Sequence, residues 1–173
     1  QYGVRDVINS GSAMELEEET IAVIKEVGKE RKSHTLWFEA HYMYRKKLAS
    51  FAEQFAPAKV KFRCGVETFD TALREAWKKG IPSSVSVQDI AQHFQGICLL
   101  CCTQGETKEH ILKDIELAKV HFEYFSVNVF CDNHTPVKQD KELVSWFAKE
   151  VYPMIKDDPQ IEVLMENTDL GVG

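Results

Sequence analysis

A chain of 173 residues, 44% of them hydrophobic, holds enough apolar material for one domain with its own core and is marginal for two. Its formal charge of −6 comes from 27 acidic against 21 basic residues spread along the length, so there is no basic stripe to follow a nucleic-acid backbone. No apolar run approaches the roughly 20 residues that cross a bilayer and no charged-then-apolar leader opens the chain, so a soluble, cytoplasmic protein without membrane or bulk nucleic-acid partners is expected.

Residues 4–9 read as a short strand ending in Ser10, Gly11 and Ser12, small residues that let a ligand approach the backbone. An ordinary strand-to-helix turn accounts for the same serines. Ser12 and Glu15 form a capping box, with Leu16, Thr20, Val23, Ile24 and Val27 as the apolar face of the helix after it. Residues 35–40 are the second strand, which brings Glu39 and His41 onto one side; they make either an acid/base pair or a structural hydrogen-bonded one. Leu48, Phe51, Ala52 and Phe55 mark its helix.

The third strand, residues 60–66, reads as an apolar run that ends on Glu67. Asp70 stands at the N-cap of a helix that packs through Leu73, Ala76 and Trp77. Val87, Ile90, Ala91 and Phe94 predict a helix ending near Gly96. The fourth strand, 97–102, is apolar throughout, as suits a parallel strand covered on both sides. Thr103 and Glu106 stand in capping-box register before a helix carrying Ile111, Ile115, Ala118 and Phe122. The fifth strand, 125–130, places Asn128 among apolar neighbours, where its amide needs a ligand or a backbone partner. A helix through Leu143, Phe147 and Val151 stops at Pro153, and the last strand, 161–165, delivers Glu166, Asn167 and Asp169.

Strand starts at 4, 35, 60, 97, 125 and 161 therefore recur every ~30 residues with helices between, the rhythm of a doubly wound sheet or a barrel. Polar residues gather after the strands rather than before them, which equips one edge of the sheet for chemistry. The five cysteines, at 64, 98, 101, 102 and 131, lie in or beside β-like runs and read as reduced core thiols. Cys98 and Cys101 stand three apart on a strand and so face opposite sides, which keeps them from sharing an ion; no metal site is expected within this chain.

Four segments in order resemble the radical S-adenosylmethionine enzymes. Cys64-Gly65-Val66-Glu67-Thr68-Phe69-Asp70 with Leu73 and Lys79-Gly80 is similar to the family's fourth-strand segment. Asn9-Ser10-Gly11-Ser12 stands where its second strand ends in a motif that meets the methionine amino group. Cys102-Thr103-Gln104-Gly105-Glu106-Thr107 looks like a degenerate Gly-x-Pro-Gly-Gln-Thr turn, with Cys and Gln in place of the first Gly and the Pro. Residues 125–130 with Thr135 resemble the segment whose backbone flanks the adenine.

The resemblance implies a partial (βα)6 TIM-type barrel, one domain over residues 1–173, whose first strand and Cys-x-x-x-Cys-x-x-Cys cluster loop are expected upstream of Gln1. It implies S-adenosylmethionine and a four-iron, four-sulfur cluster as cofactors, and an electron donor such as flavodoxin or ferredoxin. The implied activity is oxidoreductase-type reductive cleavage of S-adenosylmethionine to a 5′-deoxyadenosyl radical that takes hydrogen from a substrate, small or macromolecular, that the residues do not name. Cofactor binding falls to Ser10, Gly11, Ser12, Glu67, Asn128 and Val129, and substrate contact to Glu39, His41, Glu166, Asn167 and Asp169. Two other readings stand beside it: a non-catalytic α/β scaffold of the same descent that binds a partner or nucleotide, and an unrelated barrel lyase or aldolase using Glu39, His41 and Glu67.

Overall fold

The computed structural model describes residues 3–8 and 11–166. Six strands, β1 (Val4–Val7), β2 (Thr35–Glu39), β3 (Lys59–Glu67), β4 (Gly96–Cys101), β5 (Tyr124–Val129) and β6 (Ile161–Leu164), form one sheet in the order of the chain. All five pairings are parallel. Laying each strand beside its predecessor in one direction puts every crossover on the same face and curls the sheet. The outcome is the expected partial TIM-type barrel, a curled half-barrel with helices outside. Asn9 and Ser10, which follow β1, and the stretch from Asn167 onward lie outside the described residues.

The helices are α1 (Glu18–Glu30), α2 (Leu48–Glu53), α3 (Thr71–Ala76), α4 (Val87–Ala91), α5 (Lys108–His121), α6 (Lys141–Trp146) and α7 (Tyr152–Ile155). Three differ from expectation. The Ser12–Glu15 box is present but caps a single 3₁₀ turn, Ala13–Glu15; Leu16 is extended and α1 starts afresh at Glu18. The restart changes the phase, so Ile21 and Ile24 pack on the core while Val23 and Val27 are 54% and 43% exposed. Thr103 and Glu106 bond each other but close a buried turn, and the N-cap of α5 is Thr107, whose hydroxyl accepts from His110 N at 3.2 Å. Pro153 does not stop the sixth helical segment. A π turn, Phe147–Val151, leads into α7, where Pro153 occupies the first turn and its missing N–H has no intrahelical role.

Strand β3 corrects a further expectation. It is not an apolar run but a strict alternation: Val60, Phe62, Cys64 and Val66 join the core, while Lys61, Arg63, Gly65 and Glu67 take the other face. The same division runs through the sheet. Leu36, Phe38, Ile97, Leu99, Phe125 and Val127 pack beneath the helices. Phe38 meets Phe51 edge-on, with centroids 5.2 Å apart, and Phe55 at 5.1 Å. Such aromatic packing contributes beyond the area it buries, and it anchors α2 to the sheet.

Candidate functional site at the carboxyl edge of the sheet

Glu67 ends β3 with φ +67, a left-handed conformation that costs a residue with a side chain about 1–2 kcal/mol. The pairing of β3 with β4 slips by one residue between Gly65 and Glu67, so the strand bulges where the carboxylate is delivered. Bulge and turn together aim Glu67 at Lys79, whose Nζ lies 2.7 Å from Oε1. Lys79 is brought back to the edge by α3, which starts at the Asp70 cap (Oδ1 accepts from Leu73 N, 2.9 Å) and ends in a turn through Gly80 at φ +67. His41 secures that turn: its Nε2 lies 2.7 Å from the carbonyl oxygen of Lys79, and its Nδ1 accepts from Met43 N at 3.2 Å. With Nδ1 accepting, Nε2 carries the proton and donates it to the carbonyl. Both ring nitrogens are thereby committed to backbone.

Beside this ion pair is a cavity of about 430 Å³, walled by Trp77, Phe130, Pro136 and Val137 with Leu100 at its side. Asn128 is the register partner of Leu100 on the same face, and its Oδ1 is buried without a hydrogen-bond partner. A buried acceptor left unpaired is costly, so an N–H brought by a ligand would be favoured there. Val129 is 2% exposed and turned into the core, leaving only its backbone for the site. The turn after β4 leaves the same edge of the sheet without lining the cavity. Cys102 adopts φ +66, the conformation for which glycine is the usual residue, and Gln104 donates its N–H to Lys138 O at 2.8 Å, a bond proline could not make. Glu106 braces the turn by accepting from Thr103 N (2.6 Å) and Oγ1 (2.9 Å), and burial pushes its carboxyl up to about 7.

Below the rim, the face opposite the helices is polar. Arg63 pairs with Asp6 at 2.5 Å and lies over the rings of Trp37 and Tyr124. Trp37 fits only because Gly96 has no side chain: a Cβ there would stand 2.9 Å from the indole and 2.7 Å from the carbonyl oxygen of Tyr124. These groups close the lower end of the lumen. Above them Glu39 accepts from the Cys98 thiol at 3.7 Å, and burial raises the Glu39 carboxyl above its ordinary range against the opposing pull of Arg63.

The residues expected from the sequence are thus distributed. Glu67 lines the cavity and Asn128 stands beside one of its lining residues, whereas Glu39 belongs to the lumen. Gly11 and Ser12 sit in the loop after β1, where Ser12 N donates to Glu15 Oε2 at 3.4 Å; they are not among the residues lining the cavity. Glu166 is exposed just after β6. Ser10, Asn167 and Asp169 lie outside the described residues. Sequence reasoning missed the Glu67–Lys79 pair and the Trp37–Arg63–Tyr124 floor. The available signal was the alternation Lys61, Arg63, Gly65, Glu67 on β3.

Among the described residues no group of three or more His, Cys, Asp or Glu is placed to hold a metal ion. Cys98 faces the lumen and Cys101 the core, where its sulfur lies 3.7 Å from that of Cys102. No helix among the described residues is long and apolar enough to cross a membrane.

A parallel half-barrel with a ligand-sized cavity at the carboxyl ends of its strands has the architecture of the (βα)-barrel enzymes, whose sites lie at that edge. No family model matches the chain, and no curated protein does. Among solved structures it is similar to a queuine lyase from Clostridium spiroforme bound to SAM and queuine, with a TM-score of 0.91 and 39% identity over 100% of this chain and 74% of that one. The chain belongs to the radical S-adenosylmethionine (SAM) superfamily.

Proposed function

We propose that this chain binds SAM at the carboxyl edge of its sheet and forms the core of a radical lyase acting on queuine or a related 7-deazaguanine base. The observation that carries the proposal is the likeness, over the whole chain at 39% identity, to a queuine lyase bound to those two molecules. The residues present fit the cofactor. The apolar walls of the cavity suit a purine, the Glu67 carboxylate suits ribose hydroxyls or an ammonium, Lys79 suits a carboxylate, and the unpaired Oδ1 of Asn128 lacks the kind of donor an amine supplies. His41 and the Asp70-capped α3 hold the Glu67–Lys79 pair in place, and Trp77 and Phe130 exclude water from its side of the cavity.

Bound beside a reduced four-iron cluster, SAM would supply radical hydrogen-abstraction chemistry, with Glu67, Lys79 and Asn128 of this chain holding it. The cysteines of this chain do not fit such a cluster, being split between the lumen, the core and the cavity rim. No step through the cluster is assigned to them; its ligands, and an electron donor such as flavodoxin or ferredoxin, come from elsewhere. Titration calorimetry with SAM tests the reading. The parent chain binds, and Glu67→Gln binds about tenfold more weakly, the effect of a charge-assisted hydrogen bond worth ~1.5 kcal/mol. Equal binding by the mutant removes the role of Glu67, and no binding by the parent favours the non-catalytic scaffold. The same chain, reconstituted anaerobically with iron, sulfide and dithionite, is expected to form no 5′-deoxyadenosine.

A further inference from the structure

The lumen holds one carboxylate whose partners leave it largely uncommitted. Glu39 ends β2 on the face opposite the helices, and its one hydrogen-bond donor among the described residues is the Cys98 thiol, at 3.7 Å. Thiols are weak donors, and an ionised carboxylate has about four acceptor positions, so most of its capacity is open. Arg63, its register partner on β3, makes its hydrogen bond elsewhere: it pairs with Asp6 and lies within 5.7 Å of the Trp37 and Tyr124 ring centroids. Lys61, also on that face, pairs with Glu123. Glu39 is thus a partly desolvated carboxyl that shares the pull of Arg63 with Asp6 and has open acceptor positions.

The position of Glu39 links it to the rim. The next residue up the lumen on β3 is Gly65, and an added Cβ there would stand 3.3 Å from Glu67 Oε1 and 3.8 Å from Lys79 Nζ. Gly65 in turn is the register partner of Cys98, the residue that touches Glu39. Gly65 thus stands between the Glu67–Lys79 pair, which lies close over its bare backbone, and its register partner Cys98, which touches Glu39. Glu39 is therefore one side chain removed from the Glu67–Lys79 pair, through Cys98 and the bare backbone of Gly65.

Resting on the substrate reading above, we propose that Glu39 is the specificity-determining residue for the base. Its two oxygens accept from the ring N–H and the exocyclic amino group of the 2-amino-4-oxopyrimidine edge, and Cys98 orients the carboxylate. Paired parallel N–H donors are what a carboxylate accepts in bidentate fashion. An amine tail could satisfy the same group as a point charge, so the probes separate the two: queuine carries both edge and amine, 7-deazaguanine the edge alone.

The test is calorimetry of the protein with SAM, queuine and 7-deazaguanine, for the parent, Glu39→Gln and Glu39→Asp. Glu39→Gln is expected to weaken queuine and 7-deazaguanine alike by about 10- to 100-fold, as loss of a charged acceptor does, with SAM affinity unchanged as proof of folding. Glu39→Asp, which keeps the charge but shortens the reach, is expected to fall between. Loss for queuine with none for 7-deazaguanine overturns the assignment to the ring edge, and no loss for either overturns any role for Glu39 in recognition. Parent protein that binds SAM but neither base overturns the substrate reading itself and the inference with it. If Glu39→Gln fails to bind SAM as well, Glu39→Asp carries the decision by the same criteria.

Discussion

The two faces of the sheet are built from the same strands and obey opposite rules. Toward the helices, Phe38, Phe62, Val66, Leu99 and Val127 join one apolar core, and buried polar groups such as Arg74 and Asp114 belong to the helices and turns rather than to the strands. Toward the lumen, Glu39, Arg63, Cys98 and Ser126 are buried or half-buried polar groups, and the exposed Asp6 pairs with Arg63. Shape complementarity holds the first face, and a substitution there is felt as lost stability. The second is held by few bonds per group, so a substitution there is felt first by what binds. Stability and recognition are thus interleaved along one strand at alternate residues rather than kept in separate regions.

The largest expected effect tests the helix-facing side. Phe38→Ala removes a ring that touches Phe51, Phe55 and Phe62, and urea denaturation should show a loss of about 3–5 kcal/mol. SAM affinity per folded molecule should not change; a parallel drop in affinity would break the division. Next comes Glu106, a carboxylate buried outside the lumen. Burial raises it to about 7 from the 4.5 of an ordinary glutamate, so its contribution to stability is present in full below about 4.5 and lost as pH rises through about 7. Glu106→Gln should therefore stabilise the protein at pH 8 by on the order of 1–3 kcal/mol and by progressively less toward pH 5, as melting at both values will show. A gain independent of pH would mean that the carboxylate is not the cost. The smallest effect belongs to the floor of the lumen. Arg63→Met gives up one ion pair with the part-exposed Asp6 and two ring contacts, and should cost about 1–2 kcal/mol in the same denaturation assay, less than Phe38→Ala. A larger loss would mean that the polar face carries as much of the stability as the apolar one.

The alternation of strands and helices was readable because each βα unit repeats its own signals: an apolar stretch, a polar end, a cap. Glu67 stood out for the same reason, as a charge at the end of a strand before an N-cap. What could not be read depends on geometry that no single segment contains. The left-handed turn at Glu67 comes from a slipped pairing with β4, and its contact with Lys79 needs α3 to end where it does. The face of α1 was misjudged at Val23 and Val27 because one 3₁₀ turn shifts the helical phase, and a capping box looks the same before either kind of turn. In β3, counting Val60 to Val66 as apolar hid Lys61 and Arg63, whose charges were the sign that one face looks onto a lumen rather than a second layer of helices.

The bare backbone at Gly96 has a consequence for how such a lumen changes size. The indole of Trp37 lies where a methyl group would otherwise stand, so the height of the chamber's floor is set by a position with no side chain at all. An alanine there would push against both the indole and the backbone of β5, so one of the two must shift. Gly96 thus ties the position of the Trp37 indole to the spacing of β4 and β5, away from the residues at the carboxyl edge.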